Sequence, residues 1–274
     1  MKSISSWRRI GAVGAVMIMV AVITLLAIPK PTTAAGLFQT LVWSDEFNGK
    51  HSPSSAKWNY DLGGGGWGNG ELQTYTSNRN NVKQSNGNLI IQANYNASTG
   101  TYTSARIKTQ NKASWMYGRI DVRAKLPRGV GSWPAIWMMP QGAKYGSTYL
   151  ANGEIDIMEE VGADQNEVSS SAHSQTYNPA NRNVRYCLQV VEGADTAFHV
   201  YSLEWAPSHL SFLIDGTEYC RVNNDYTGYL SWPYDQPYYL IMNLAVGGSW
   251  GGYAGIDNSS FPWVFAVDYV RVYQ

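Results

Sequence analysis

Short runs in which apolar and polar residues alternate, closed every few positions by Gly, Asn or Pro, set what this chain can fold into. Leu89-Ile90-Ile91-Gln92-Ala93, Gly118-Arg119-Ile120-Asp121-Val122-Arg123-Ala124, Ser211-Phe212-Leu213-Ile214-Asp215 and Ala266 to Tyr273 all carry the two-residue period of a strand. No stretch after residue 35 holds a helical period for more than about two turns. Asp215-Gly216 is a hairpin turn between Phe212-Leu213-Ile214 and Thr217-Glu218-Tyr219. Many short antiparallel strands with regular turn signals predict an all-β chain, a two-sheet antiparallel sandwich of the jelly-roll kind.

The start of the chain reads differently. Lys2, Arg8 and Arg9 precede an apolar run from Ile10 to Ile28, then Pro29, Pro31 and the small residues Thr33-Ala34-Ala35. This is the pattern of a secretory signal peptide, 1–35, with cleavage after Ala35. The apolar run is also long enough, at about 20 residues, to stay as an N-terminal anchor. Residues 36–274 then form one domain, a length that all-β sandwiches commonly reach without splitting. Residues 1–35 hold four of the 20 basic residues and none of the 20 acidic ones, so 36–274 carry a net charge of −4. With no basic patch or charged tail, nucleic acid is not the expected partner. The expected product is a secreted, extracellular monomer, free of the membrane once the signal is removed.

Eleven Trp and 19 Tyr stand against six Phe. A core alone favours Phe, Leu and Ile, whereas Trp and Tyr suit a surface that stacks on flat apolar faces with polar edges, such as sugar rings. Cys187 and Cys220 both fall in strand-like segments, and export permits a disulfide between them. The bridge is the expected state, with two buried thiols as the alternative.

The segment Glu154-Ile155-Asp156-Ile157-Met158-Glu159 threads three carboxylates through an apolar strand. Glu154 and Asp156 share a face by alternation, and Glu159, five positions on, faces the other way unless one extra residue is absorbed near Ile157-Met158. A β-bulge does this, and bulges occur beside active sites. Paired carboxylates flanking a bond are what glycoside hydrolysis requires, one as proton donor and one as nucleophile or base. A third acid between them can push its neighbours' proton affinities apart. With the bulge, Glu154 and Glu159 lie about 13 Å apart at Cα, and leaning side chains bring the carboxyls towards the roughly 5–5.5 Å of retaining enzymes. Plain alternating acids on a solvated strand, or a calcium loop, are the other readings. The break in alternation at Met158-Glu159-Glu160 and the Ile and Met between acids speak against both.

These residues resemble the catalytic signature of glycoside hydrolase family 16, in its bulged, laminarinase-like (endo-β-1,3-glucanase) branch. The resemblance extends over nearly all of 40–274, through Trp43-Ser44-Asp45-Glu46-Phe47, Trp67-Gly68-Asn69-Gly70-Glu71-Leu72-Gln73, Gly131-Ser132-Trp133-Pro134-Ala135-Ile136-Trp137-Met138 and Asp268-Tyr269-Val270-Arg271-Val272-Tyr273. It implies a concanavalin A-like jelly roll with a concave substrate cleft, and a retaining endo-acting hydrolase. Glu154 would be the nucleophile, Glu159 the acid/base and Asp156 the acid that tunes the nucleophile. Trp133 and Trp137 would stack on sugar, and Asn69, Arg106 and His173 would supply hydrogen bonds near the cleavage point. Catalysis needs no cofactor, but the family often carries a structural calcium, for which Glu46, the Gly87 carbonyl and Asp268 are the matching positions.

Two departures bear on substrate. Branch members commonly have Trp where this chain has Tyr149, and Tyr where it has Glu160. The expected partner is a β-1,3-glucan or a mixed β-1,3/1,4-glucan. A β-galactan (galactanase, agarase or carrageenase type), transglycosylation on the same scaffold, and a non-catalytic glucan-binding protein are the alternatives.

Overall fold

The computed structural model describes residues 38–148 and 150–274. The signal-like segment and Tyr149 lie outside the described residues. Among the described residues seventeen strands follow one another: β1 (Leu41–Asp45), β2 (Asn59–Asp61), β3 (Gln73–Tyr75), β4 (Val82–Ser85), β5 (Asn88–Asn96), β6 (Thr101–Ser104), β7 (Arg106–Lys108), β8 (Gly118–Lys125), β9 (Ser132–Pro140), β10 (Glu154–Glu160), β11 (Glu167–His173), β12 (Tyr186–Val190), β13 (His199–Ala206), β14 (His209–Ile214), β15 (Thr217–Asn223), β16 (Tyr238–Val246) and β17 (Trp263–Tyr273). Among the described residues the helices are two single 3-10 turns, Pro179–Asn181 and Asn258–Ser260. None is long and apolar enough to cross a membrane.

The strands form two sheets. One has ten strands in the order β15-β14-β13-β8-β17-β5-β6-β3, with β1 on β17 and β4 on β5. The other has seven, in the order β12-β11-β10-β9-β16-β7-β2. The hairpin turn is where the sequence predicts it, with positive φ at both Asp215 and Gly216.

Alternation in the sequence becomes two layers of one core. Ile120, Val122, Leu203, Trp205, Phe265 and Val267 from the ten-stranded sheet meet Ile136, Met138, Ile155, Met158, Leu240 and Met242 from the seven-stranded sheet, all buried. The other face of the seven-stranded sheet is left for polar and aromatic side chains. Trp58, Trp115, Trp205, Trp232 and Trp263 are core residues, so the Trp excess serves the interior as well as a sugar surface. Cys187 on β12 and Cys220 on β15 form a disulfide, with Cα atoms 5.8 Å apart. It joins the end strand of one sheet to the end strand of the other.

Candidate active site

The three acids sit on β10, in the middle of the seven-stranded sheet. Against β9, Asp156 pairs with Trp137 and Met158 with Ile136; against β11, Asp156 pairs with Ser171 and Glu159 with Ser169. Two residues of β10, Ile157 and Met158, thus span the interval that Ser170 alone spans on β11. Ile155, Ile157 and Met158 are all buried in the core. Each such side chain is worth about 1.5–3 kcal/mol on burial, so the apolar residues between the acids fix the register that turns Glu154, Asp156 and Glu159 outward. Immediately before Glu154, Gly153 has φ 77°, and a Cβ there would lie 2.7 Å from Pro233 and from the Tyr238 hydroxyl. Only glycine fits at the entry to this strand.

Asp156 is buried, while Glu154 and Glu159 keep partial access to solvent. Carboxylate and ring atoms of Glu154, Asp156 and His173 come within 4.8 Å of one another. His173 stands opposite Glu154 on β11, with Nε2 3.1 Å from Asp156 Oδ2. Burial, then repulsion from Asp156, raises Glu154, partly offset by His173. Burial also raises Asp156, and a hydrogen bond with Glu154 opposes it. Glu154 and Asp156 therefore titrate as a coupled pair, both held above the ordinary carboxylate range by burial. Glu159 accepts a hydrogen bond from Trp133 Nε1 at 3.0 Å. Burial and the Asp156 charge push it up to about 8, against the smaller effects of Trp133 and His173.

Around the acids, Trp133, Ala135 and Trp137 of β9 alternate onto the same face. Trp137 donates through Nε1 to Asn243 Oδ1 at 2.7 Å, and Trp133 meets Trp250 edge-on, centroids 5.5 Å apart. Arg106 is not a free surface charge. Its guanidinium lies 4.6 Å from the centroid of Trp137 and 5.1 Å from that of Trp67, with Nε 2.9 Å from Asp61 Oδ2. Asn69 is exposed on a neighbouring loop and donates to Glu71 Oε1 at 3.1 Å, while its backbone carbonyl accepts from Ser249. The site thus gathers Trp133, Trp137, Arg106 and His173 around β10, with Asn69 on the loop that meets Ser249.

Asp61, Asn243 and Trp250 belong to this surface but were not singled out from the sequence. Trp250 had a usable signal, a lone Trp between Gly247-Gly248 and Gly251-Gly252. Asp61 and Asn243 had none, because each reaches Arg106 or Trp137 through strand pairing distant in sequence.

The expected calcium ligands are arranged differently. Both carboxylate oxygens of Glu46 accept from Arg271, at 2.9 and 2.8 Å, and Asp268 Oδ2 accepts from Arg123 at 2.5 Å. Gly87 lies beside Asn48. With both carboxylates committed to guanidinium groups, these residues do not fit a cation as they stand. Glu160 turns away from the face that carries the three acids and is fully buried.

A two-sheet β-sandwich with a row of carboxylates on one outer face is an architecture of carbohydrate-active enzymes. The family model of glycosyl hydrolases family 16 matches residues 69–268. The chain belongs to that family and is a glycoside hydrolase. It is 48% identical over 242 residues to a beta-glucanase of Rhodothermus marinus, covering 85% of each chain. It is 39% identical to glucan endo-1,3-beta-glucosidase A1 of Niallia circulans, spanning 91% of this chain and 40% of that one. The crystal structure of the laminarinase from Rhodothermus marinus superposes with a TM-score of 0.83 at 47% identity, covering 87% of this chain and 99% of that one.

Proposed function

We propose that this protein is an exported, retaining endo-hydrolase of β-1,3-glucan or mixed β-1,3/1,4-glucan, with Glu154 as nucleophile and Glu159 as acid/base. The carrying observation is the bulge that lines three carboxylates along β10 beside Trp133 and Trp137. Held near 8, Glu159 is protonated at neutral pH and can give its proton to the glycosidic oxygen as that bond breaks. Glu154, in its ionised form, bonds through its carboxylate oxygen to the anomeric carbon. Water then attacks that carbon, passes a proton to Glu159 and frees Glu154. His173 beside Asp156 holds the middle acid in place. Stacking on Trp133 and Trp137, with polar contacts from Arg106 and Asn69, would orient the sugar chain.

The glucan reading draws on the names of the relatives. A disulfide suits an oxidising compartment, which supports export and fits the signal-like 1–35. Monomeric action on a polysaccharide, without a catalytic cofactor, completes the proposal. Reducing-sugar release from laminarin, lichenan, agarose, carrageenan and β-1,3-galactan tests it. Release from the two glucans, abolished by Glu154→Gln, is expected. Release from a galactan alone would overturn the substrate, and activity surviving Glu154→Gln would overturn the nucleophile.

A further inference from the structure

Glu154 and Glu159 are displaced from each other along one strand. In the double displacement proposed above, nucleophile and acid/base approach from opposite sides of the sugar chain. The polysaccharide must therefore cross β10, with its axis running from strand to strand. Register then says what lies beneath it. Towards β9, Asp156 is paired with Trp137. In the other direction Asp156 is paired with Ser171, and Ser171 with Tyr186 of β12; one row along, Glu159 is paired with Ser169, and Ser169 with Leu188. Directly opposed residues share a sheet face, so Tyr186 and Leu188 stand on the same face as the acids.

Their neighbours fit that placement. Val168 and Ala172 of β11 are core residues, and Cys187, between Tyr186 and Leu188, points inward to its disulfide with Cys220. Ser169 and Ser171 are small and buried, making a low floor, whereas Tyr186 and Leu188 are 54% and 47% exposed. A Tyr and a Leu left uncovered on the end strand of a sheet are a liability unless something covers them.

We propose that Tyr186 and Leu188 form a sugar-binding platform on the acid-bearing face, on the side of β10 opposite Trp133 and Trp137. It takes a glucosyl unit of the substrate beyond those that flank the cleaved bond. Tyr186 lies two strand spacings, about 10 Å, from Asp156, so it touches only chains long enough to reach across β11. A tyrosine ring and a leucine side chain match the apolar face of a pyranose. The disulfide fixes β12 to the other sheet and so holds the platform at a set distance from the acids. The inference rests on the hydrolase reading above.

The test uses the full chain with Tyr186→Ala and Leu188→Ala combined, measured on laminarin and on β-1,3-gluco-oligosaccharides of rising length. The expected result is a fall in kcat/KM on the polymer of about tenfold, mostly through KM, the size of a lost aromatic contact. The shortest oligosaccharide that is still cleaved should change by less than about twofold. Tyr186→Trp should restore the polymer value. The same double substitution on a Glu154→Gln background, titrated with laminarin, should weaken binding by a similar factor without any turnover. Equal losses on long and short substrates, or none on the polymer, would overturn the platform. So would a wild-type dimer in sedimentation that the double substitution dissociates, because a second copy would then be the cover. A wild type that releases sugar from neither glucan would remove the hydrolase reading itself, and the platform with it.

Discussion

Glu160 offers the sharpest test of how this fold handles charge. Its side chain is wholly buried on the core side of β10, facing Tyr201 of β13. Burial pushes it from 4.5 up to about 8, with the Asn166 amide opposing and Asp195 adding. Between those two values the folded chain holds a proton that the unfolded chain has released. Stability therefore falls as pH rises through the window from 4.5 to 8, and is flat in this group below and above it. At 1.36 kcal/mol per unit, the contribution lost between pH 5 and pH 8 is about 3.5 kcal/mol. At about 2 °C per kcal/mol for a domain of this size, that is about 7 °C in Tm. Glu160→Gln removes the titration while keeping the shape. Calorimetric Tm of wild type and Glu160→Gln, taken from pH 5 to 8, should diverge by that amount, the variant gaining on the wild type towards pH 8. Glu154, Asp156 and Glu159 titrate alike in both chains and cancel. Parallel Tm curves would refute the account and show that Glu160 is ionised or hydrated in the core.

Three further outcomes are expected. The pH profile of kcat/KM should fall as pH rises through about 8, where Glu159 loses its proton, and Glu160→Gln should leave that limb in place; a limb that moved would tie Glu160 to the chemistry. Replacing Cys187 and Cys220 together by Ser opens a closure 33 residues apart. By chain entropy this costs about 4 kcal/mol, or about 8 °C in Tm, and an unchanged Tm would refute the bridge's role. Gly153→Ala meets both positive φ and the Pro233, Tyr234 and Tyr238 side chains, so a loss of about 3 kcal/mol is expected together with activity, read by urea unfolding and sugar release.

What was legible in the sequence follows from locality. The bulge was forced by counting five positions from Glu154 to Glu159, and the hairpin by Asp215-Gly216, since both depend on adjacent residues only. Where Glu160 points follows from the same count once the bulge is known: a residue beside an outward Glu159 turns inward. Partners brought by sheet pairing were out of reach. Arg106 acquires Asp61 and Trp137 from β2 and β9, and Trp137 acquires Asn243 from β16. Nothing near Glu46 or Asp268 in sequence says that Arg271 and Arg123 will claim them. Composition leaves open how many Trp rings are interior, and Trp58, Trp115, Trp205, Trp232 and Trp263 are.

The bulge at Ile157-Met158 has a consequence for chain length. A strand normally resists gaining or losing one residue, because every residue beyond the change swaps faces. Remove Ile157 from this segment and the order becomes Glu-Ile-Asp-Met-Glu-Glu, in which the first, third and fifth residues again share a face. The three acids stay outward and Glu160 stays inward, with one apolar side chain fewer below. Parity, which elsewhere in a sheet punishes a single-residue change, is satisfied here both with and without the extra residue. The catalytic strand is thus a place where the chain can change length by one and keep its chemistry in line.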